Sequence, residues 1–205
     1  MVTLFGLPES VYVRIVRLVL EAKGIRCGLE RADPFSENGL PAGYQERHPF
    51  GRIPAIEVDD VHLFETDAIV HYLDALWLEP RLMPSDPLQA ARARQIMRLI
   101  DNYAYRALVW GVYVPIWWRD GAEPEQAAID LAGRSLDVLE ALSLQAGLTA
   151  EPSLAGFYLA AMLAPFDSVK TGSVMLDRRD SLRAWWDLFR GTGPMLATRS
   201  EHARY

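Results

Sequence analysis

His48-Pro49-Phe50-Gly51-Arg52-Ile53-Pro54-Ala55-Ile56 organises this chain, together with Phe64-Glu65-Thr66-Asp67-Ala68-Ile69 just beyond it. The first stretch reads as a loop that enters a strand through an Ile-Pro bond. The second reads as a helix that opens on an acidic residue and a hydroxyl. Between them, Glu57-Val58-Asp59-Asp60-Val61-His62-Leu63 reads as strand, tight turn, strand. Ile53-Pro54 is a candidate cis peptide, because only X-Pro bonds take that form at modest cost. In that form it offers the backbone of Ile53 to a ligand. A helix starting at Thr66 offers free N–H groups to an anion. Together the two outline a small peptide-binding cleft.

Upstream, residues 2–6 are β-prone and run into Gly6-Leu7-Pro8, a buried strand and its turn. Ser10 stands at a helix N-cap. Val13, Ile15, Val16, Leu18, Val19 and Leu20 follow at helical spacing, with Arg14, Arg17, Glu21 and Lys23 as the polar positions between them. Gly24 closes that helix as the residue past its C-cap. Residues 26–31 are a second strand, so the chain opens on a βαβ unit with parallel pairing. Residues 33–43 carry Pro34, Asn38, Gly39, Pro41 and Gly43 and read as loop, with a short helical turn leading to Arg47.

Downstream the character changes. Glu79-Pro80-Arg81-Leu82-Met83-Pro84-Ser85-Asp86-Pro87 reads as a proline-studded linker. Residues 88–108 read as one long helix continuing toward Trp110 and Tyr113, which Pro115 should kink or end. A loop at 120–124 precedes a helix at 125–145. A very apolar helix at 153–163 is central to a second core, 165–171 is a break, and 181–190 is the last clear helix, ended by Gly191-Thr192-Gly193-Pro194. The expected organisation is an α/β domain at 1–77, a linker at 78–87 and an all-helical domain at 88–205.

Composition bounds the function. Half of the residues are hydrophobic and 23% are charged, the balance of an ordinary globular protein. A net charge of −6 argues against a nucleic-acid or anionic-membrane partner. Cys27 is the one cysteine, which rules out an internal disulfide and dithiol chemistry; it reads as a small buried hydrophobe. The N-terminus lacks the basic flank and apolar run of a signal peptide, and no uncharged stretch reaches transmembrane length, so a cytoplasmic location is expected. His48 reads as a structural loop histidine. His62, His71 and His202 are scattered, with no metal-site spacing, so no metal is expected.

The pattern resembles the soluble glutathione transferase family. Residues 48–56 are similar to that family's Asn-Pro-x-Gly-x-Val/Ile-Pro-x-Leu motif, and 64–69 to its Glu-Ser-x-Ala-Ile motif. Ser10-Val11-Tyr12-Val13-Arg14 is similar to the Ser-Pro-Phe start of bacterial and plant members, with Val11 where many relatives have proline. The resemblance implies a thioredoxin-like N-terminal domain, a helical-bundle C-terminal domain, glutathione as co-substrate and a homodimer. It implies Ser10 as the serine-type catalytic residue, a hydroxyl that donates to the glutathione thiolate, with Tyr12 as the alternative donor or a pocket wall. Arg52, the backbone of Ile53, Glu65 and Thr66 are the implied glutathione contacts. Each has a physical rationale: Glu65 pairs the ammonium, Thr66 and its helix start hold a carboxylate, Ile53 adds the peptide as a short strand, and Arg52 meets the other carboxylate.

In the second half, Tyr103, Tyr105, Trp110, Tyr113, Trp117 and Trp118 concentrate aromatics. Most are expected in the core, with Tyr12, Tyr105 and Trp110 lining an apolar co-substrate pocket between the α/β unit and the long helix. Asp101 is a candidate partner for a glutathione ammonium across a dimer interface. Ser153-Leu154-Ala155-Gly156 resembles the family's Ser/Thr-x-x-Asp helix start with Gly156 in the Asp place. The activity implied is thiol activation for attack on a small apolar electrophile in detoxification. The alternatives are a non-catalytic binding module and a glutathione-dependent isomerase or dehalogenase.

Overall fold

A computed structural model of the chain describes residues 1–118 and 121–200. It divides into two compact units, 1–82 and 83–205. The expected loop at 120–124 begins on Asp120, which lies outside the described residues.

The N-terminal unit is built on a four-stranded sheet in the order β2-β1-β3-β4. β1 (Val2–Gly6) pairs parallel with β2 (Gly28–Arg31) across α1 (Val11–Ala22), the βαβ unit expected from the helical spacing. β1 pairs antiparallel with β3 (Ala55–Val58), which turns through Asp59 and Asp60 into β4 (Val61–Phe64). α2 (Tyr44–Arg47) is the short helical turn before His48, and α3 (Thr66–Leu76) follows β4. α1 buries Val13, Ile15, Val16, Leu18 and Val19 completely. Gly24 ends it with φ of 65°, and the Ile25 N–H reaches back to the Leu20 carbonyl.

Lys23 stands at the C-cap of α1. Its side chain is fully buried and donates to the carbonyls of Trp77 (2.6 Å) and Pro80 (2.8 Å), and it pairs with Asp74 Oδ1 at 2.9 Å. Asp74 also accepts from the Leu82 N–H at 2.9 Å. All three ammonium donors are thus satisfied. Residues 77–82 are thereby tied to α1 and α3 of the N-terminal unit.

The C-terminal unit is all-helical: α4 (Pro87–Leu99), a π-helical segment (Ile100–Tyr113), α5 (Val114–Trp118), α6 (Gln126–Gln145), α7 (Leu154–Ser168), α8 (Lys170–Leu176), α9 (Asp180–Phe189) and α10 (Gly193–Ala197). Its core is α7, buried along residues 154–166. Four expectations need correction here. The long helix is α-helical only to Leu99; beyond it the winding widens, and the Val114 N–H bonds the Val109 carbonyl five residues back. Pro115 does not end it, since α5 runs straight on from the π-helical segment through Val114–Trp118. Pro165 lies inside α7, and continuing the helix past it buries Phe166 and carries Asp167 onto Trp186 Nε1 at 2.9 Å. Val169, in extended conformation, is the real break, so most of the expected 165–171 break is helical. Gly193-Pro194 opens α10 with proline at its start instead of closing the chain's last helix.

Gly156, in the family's Asp place, also has a steric reason. A Cβ there would lie 3.0 Å from the Phe189 ring and 2.9 Å from Ser153 Oγ. Phe189 stacks on Trp185 at 4.6 Å and meets Phe157 edge-on at 6.0 Å, so this aromatic cluster occupies the space of the missing carboxylate. Ser153 Oγ still accepts from the Gly156 N–H at 3.1 Å.

Arg183 joins α7 to α9, donating to Asp167 at 2.6 Å and to both oxygens of Asp187. Those bonds hold the Asp187 carboxyl below its ordinary value of 3.8. A carboxylate depressed by folding stabilises the fold above its unfolded pKa, and that contribution is lost as pH falls through the folded value. Asp187→Asn is therefore expected to lower the denaturation midpoint at neutral pH and to converge on the native chain as pH falls through the depressed folded value, as acid-titrated urea melts would register.

Candidate functional site

The strand register brings the candidate residues to one end of the N-terminal sheet. Phe5, Ala55 and Phe64 stand side by side in β1, β3 and β4. From that row the chain leaves β1 through Gly6 toward Ser10, enters β3 from Ile53-Pro54, and leaves β4 into Glu65 and Thr66. Gly6 and Ile53 are packed closely: a Cβ built on Gly6 would be 3.5 Å from that of Ile53 and 2.4 Å from a methyl of Val13.

Ser10 caps α1. Its backbone is extended, its carbonyl accepts from the Arg14 N–H at 2.9 Å, and its Oγ accepts from the Val13 N–H at a long 3.4 Å. That bond uses an oxygen lone pair. A hydroxyl that accepts in this way can still donate its hydrogen. The N-terminus of α1 adds its positive end to the same place, where an anion is favoured. Tyr12 is half-buried in the first turn of α1.

Ile53-Pro54 is cis, as expected from its place before a strand. The ladder begins at Ala55, so the N–H and C=O of Ile53 stand outside it. Arg52 is exposed, and its carbonyl accepts from the buried Tyr44 hydroxyl at 2.9 Å. Burial pushes the Tyr44 phenol up to about 12, so it stays a donor at neutral pH.

Glu65 is held at φ 67° and ψ 115°, a left-handed backbone that costs a non-glycine residue roughly 1–3 kcal/mol. Its side chain makes no cap bond to α3 and is exposed. Thr66 is buried directly behind it. His48 is 2% exposed, packs on Phe64 with ring centroids 4.8 Å apart, and is kept neutral by burial, a structural loop residue as expected. Burial likewise pushes the half-buried Cys27 thiol up, and its Sγ donates to the Gly28 carbonyl at 3.1 Å.

Sequence reasoning missed Tyr44 and the strained backbone of Glu65. A buried aromatic four residues ahead of His48 was visible, but the acceptor its hydroxyl finds was not. Nothing in a glutamate's identity signals positive φ.

Tyr105 and Trp110 lie on the π-helical segment of the C-terminal unit, Tyr105 half-buried and Trp110 42% exposed. The expectation that most of the aromatics there are core is corrected. Tyr113 is buried, whereas Tyr103, Trp117 and Trp118 are exposed, and Trp117 spends one face stacked on Tyr113 at 5.8 Å. Asp101 pairs with Arg98 on its own helix. Among the described residues, no group of three or more histidine, cysteine or acidic side chains is placed to hold a metal ion, and no helix is long and apolar enough to cross a membrane.

Comparison with known proteins agrees with this arrangement. Residues 4–80 match the family model described as glutathione S-transferase, N-terminal domain. A stringent starvation protein A homolog of Coxiella burnetii is 30% identical over 106 residues, 52% of this chain and 49% of that protein. Glutathione S-transferase omega-2 of Mus musculus is 32% identical over 99 residues, 48% of this chain and 39% of that protein. The chain thus spans about half the length, or less, of the curated relatives it matches. Among solved structures, glutathione transferase F7 from Populus trichocarpa superposes with a TM-score of 0.82 over 97% of both chains at 22% identity, a likeness of fold. Residues 4–80 thus carry a glutathione S-transferase N-terminal domain, and the fold as a whole, a thioredoxin-like unit followed by a helical one, is that of the soluble glutathione transferases.

Proposed function

We propose that the chain is a glutathione transferase that activates the glutathione thiol for attack on a small apolar electrophile. The observation that carries this reading is Ser10, a helix cap whose oxygen accepts only one long bond at 3.4 Å and whose hydroxyl can still donate. A free thiol has a pKa of about 8.5, and a hydroxyl donor at a helix N-terminus favours its ionised form. Ser10 acts as a donor to sulfur, not as a nucleophile. The free peptide edge at Ile53 takes the cysteinyl backbone, the exposed Glu65 takes the ammonium, and Thr66 with the start of α3 takes the adjoining carboxylate. Arg52 meets the far carboxylate. Tyr12, Tyr105 and Trp110 contribute to the co-substrate pocket, and the protein works without a metal as a cytoplasmic homodimer.

The test is Ser10→Ala. The thiolate absorbance of the glutathione complex is expected to titrate nearer the free-thiol value, and conjugation of a generic aryl halide to fall about 10²-fold, with glutathione-matrix retention kept. An unchanged thiolate titration and rate remove Ser10 from the mechanism.

One observation favours a second reading, a glutathione-transferase-like binding module without turnover: relatives of comparable similarity carry the name stringent starvation protein A rather than a transferase name. Tight glutathione binding with no turnover across a broad electrophile panel would decide for it.

A further inference from the structure

Tyr44 carries a role that the motif residues do not. Its ring is 2% exposed and packs with Ala32, Ala55, Phe5, Leu40, Ile53 and Phe64, meeting Phe5 edge-on at 6.5 Å. Only its hydroxyl leaves this apolar cluster, and it donates to the Arg52 carbonyl at 2.9 Å. The same segment is closed by two backbone bonds, His48 N–H to Tyr44 carbonyl at 3.0 Å and Gly51 N–H to His48 carbonyl at 2.8 Å. Three hydrogen bonds therefore fasten residues 44–52 end to end.

The Arg52 carbonyl and the Ile53 N–H belong to one peptide plane. The peptide is trans, since the cis bonds of the described chain are Ile53-Pro54 and Glu79-Pro80. In a planar trans peptide C=O and N–H point in opposite directions. Drawing the carbonyl inward onto Tyr44 therefore aims the Ile53 N–H outward. That N–H lies outside the strand ladder, which starts at Ala55. A phenylalanine would fill the same apolar space without fixing the plane.

We propose that Tyr44 is a positioning residue: its buried hydroxyl sets the Arg52–Ile53 peptide plane so that the Ile53 N–H is pre-aimed at the backbone carbonyl of a bound thiol peptide. This rests on the glutathione reading above and extends it to a group that never touches the ligand. Pre-orientation of this kind lowers the ordering cost of binding. The phenol remains protonated through neutral pH, so the clasp is not itself titrated there.

The test compares the full native chain with Tyr44→Phe by amide hydrogen exchange and by calorimetric titration with glutathione. Exchange of the hydrogen-bonded His48 and Gly51 amides, which close the segment that Tyr44 clasps, is expected to quicken at least fivefold in the variant, with α3 unaffected, and the glutathione Kd to rise three- to tenfold. A substitution that merely loosens the fold would instead speed exchange across the whole N-terminal unit, and that result overturns the proposal. So does local exchange or affinity left unchanged by the variant. Native protein that takes up no glutathione overturns the glutathione reading and this role with it. Native binding that Tyr44→Phe leaves intact overturns the role of Tyr44 alone.

Discussion

Lys23→Ala is expected to cost the N-terminal unit about 3–5 kcal/mol, enough to leave much of it unfolded at 37 °C. The ammonium is fully buried and satisfies two main-chain carbonyls and one oxygen of Asp74. Alanine removes all three donors at once and takes the Lys23 charge away from the 9%-exposed carboxylate side chain of Asp74. Breaking one half of a buried pair costs far more than replacing both halves, because the remaining charge stays desolvated after its ion-pair partner is gone. Lys23→Met combined with Asp74→Asn is accordingly expected to recover part of the loss, since a neutral amide oxygen still accepts from the Leu82 N–H. Urea denaturation followed by far-UV circular dichroism measures both. A single variant within about 0.5 kcal/mol of the native chain would show that this clasp contributes little.

Gly172→Ala is expected to be comparably severe in the C-terminal unit. A Cβ at Gly172 would sit 1.8 Å from the Phe166 carbonyl oxygen and 2.7 Å from its carbon. These are backbone atoms of α7, itself buried along residues 154–166. No side-chain rotation relieves that overlap, so the α7–α8 corner must open, at upwards of about 3 kcal/mol. Gly147→Ala is a useful control, since no heavy atom lies within 4 Å of a Cβ there and its cost is that of a positive φ of 60° alone. Thermal melts of the two variants side by side separate the terms. A Gly172→Ala melt no lower than that of Gly147→Ala would mean the corner yields easily.

Much of the N-terminal unit was legible residue by residue. The apolar spacing of α1, the Asp59-Asp60 turn, Gly24 past a helix end and Pro54 ahead of a strand are local signals, each settled by chemistry within a few residues. The helical half was legible in outline only. Pro165 is a strong local reason to stop a helix, yet α7 continues, because the next turn buries Phe166 and brings Asp167 onto Trp186 and Arg183. Those partners lie on α9, and no local reading of the proline reveals them. The π-helical winding of 100–113 is equally silent, since apolar positions at helical spacing suit either winding over a short run.

The candidate site divides the same way. Ser10, Ile53-Pro54 and Glu65-Thr66 were named from residue type and order, because a cap, an X-Pro strand entry and a helix start are written in adjacent residues. Tyr44, Lys23 and the Glu65 backbone owe their roles to folding. Tyr44 needs the Arg52 carbonyl brought back over it, Lys23 needs the carbonyls of Trp77 and Pro80, and Glu65 is forced to φ 67° by a strand and a helix anchored on either side. A polar side chain on a helix is written in sequence as a donor or acceptor. Whether it meets water or a buried partner dozens of residues away depends on how the sheet and helices close, and the physical meaning of Lys23 and Tyr44 was fixed at that step.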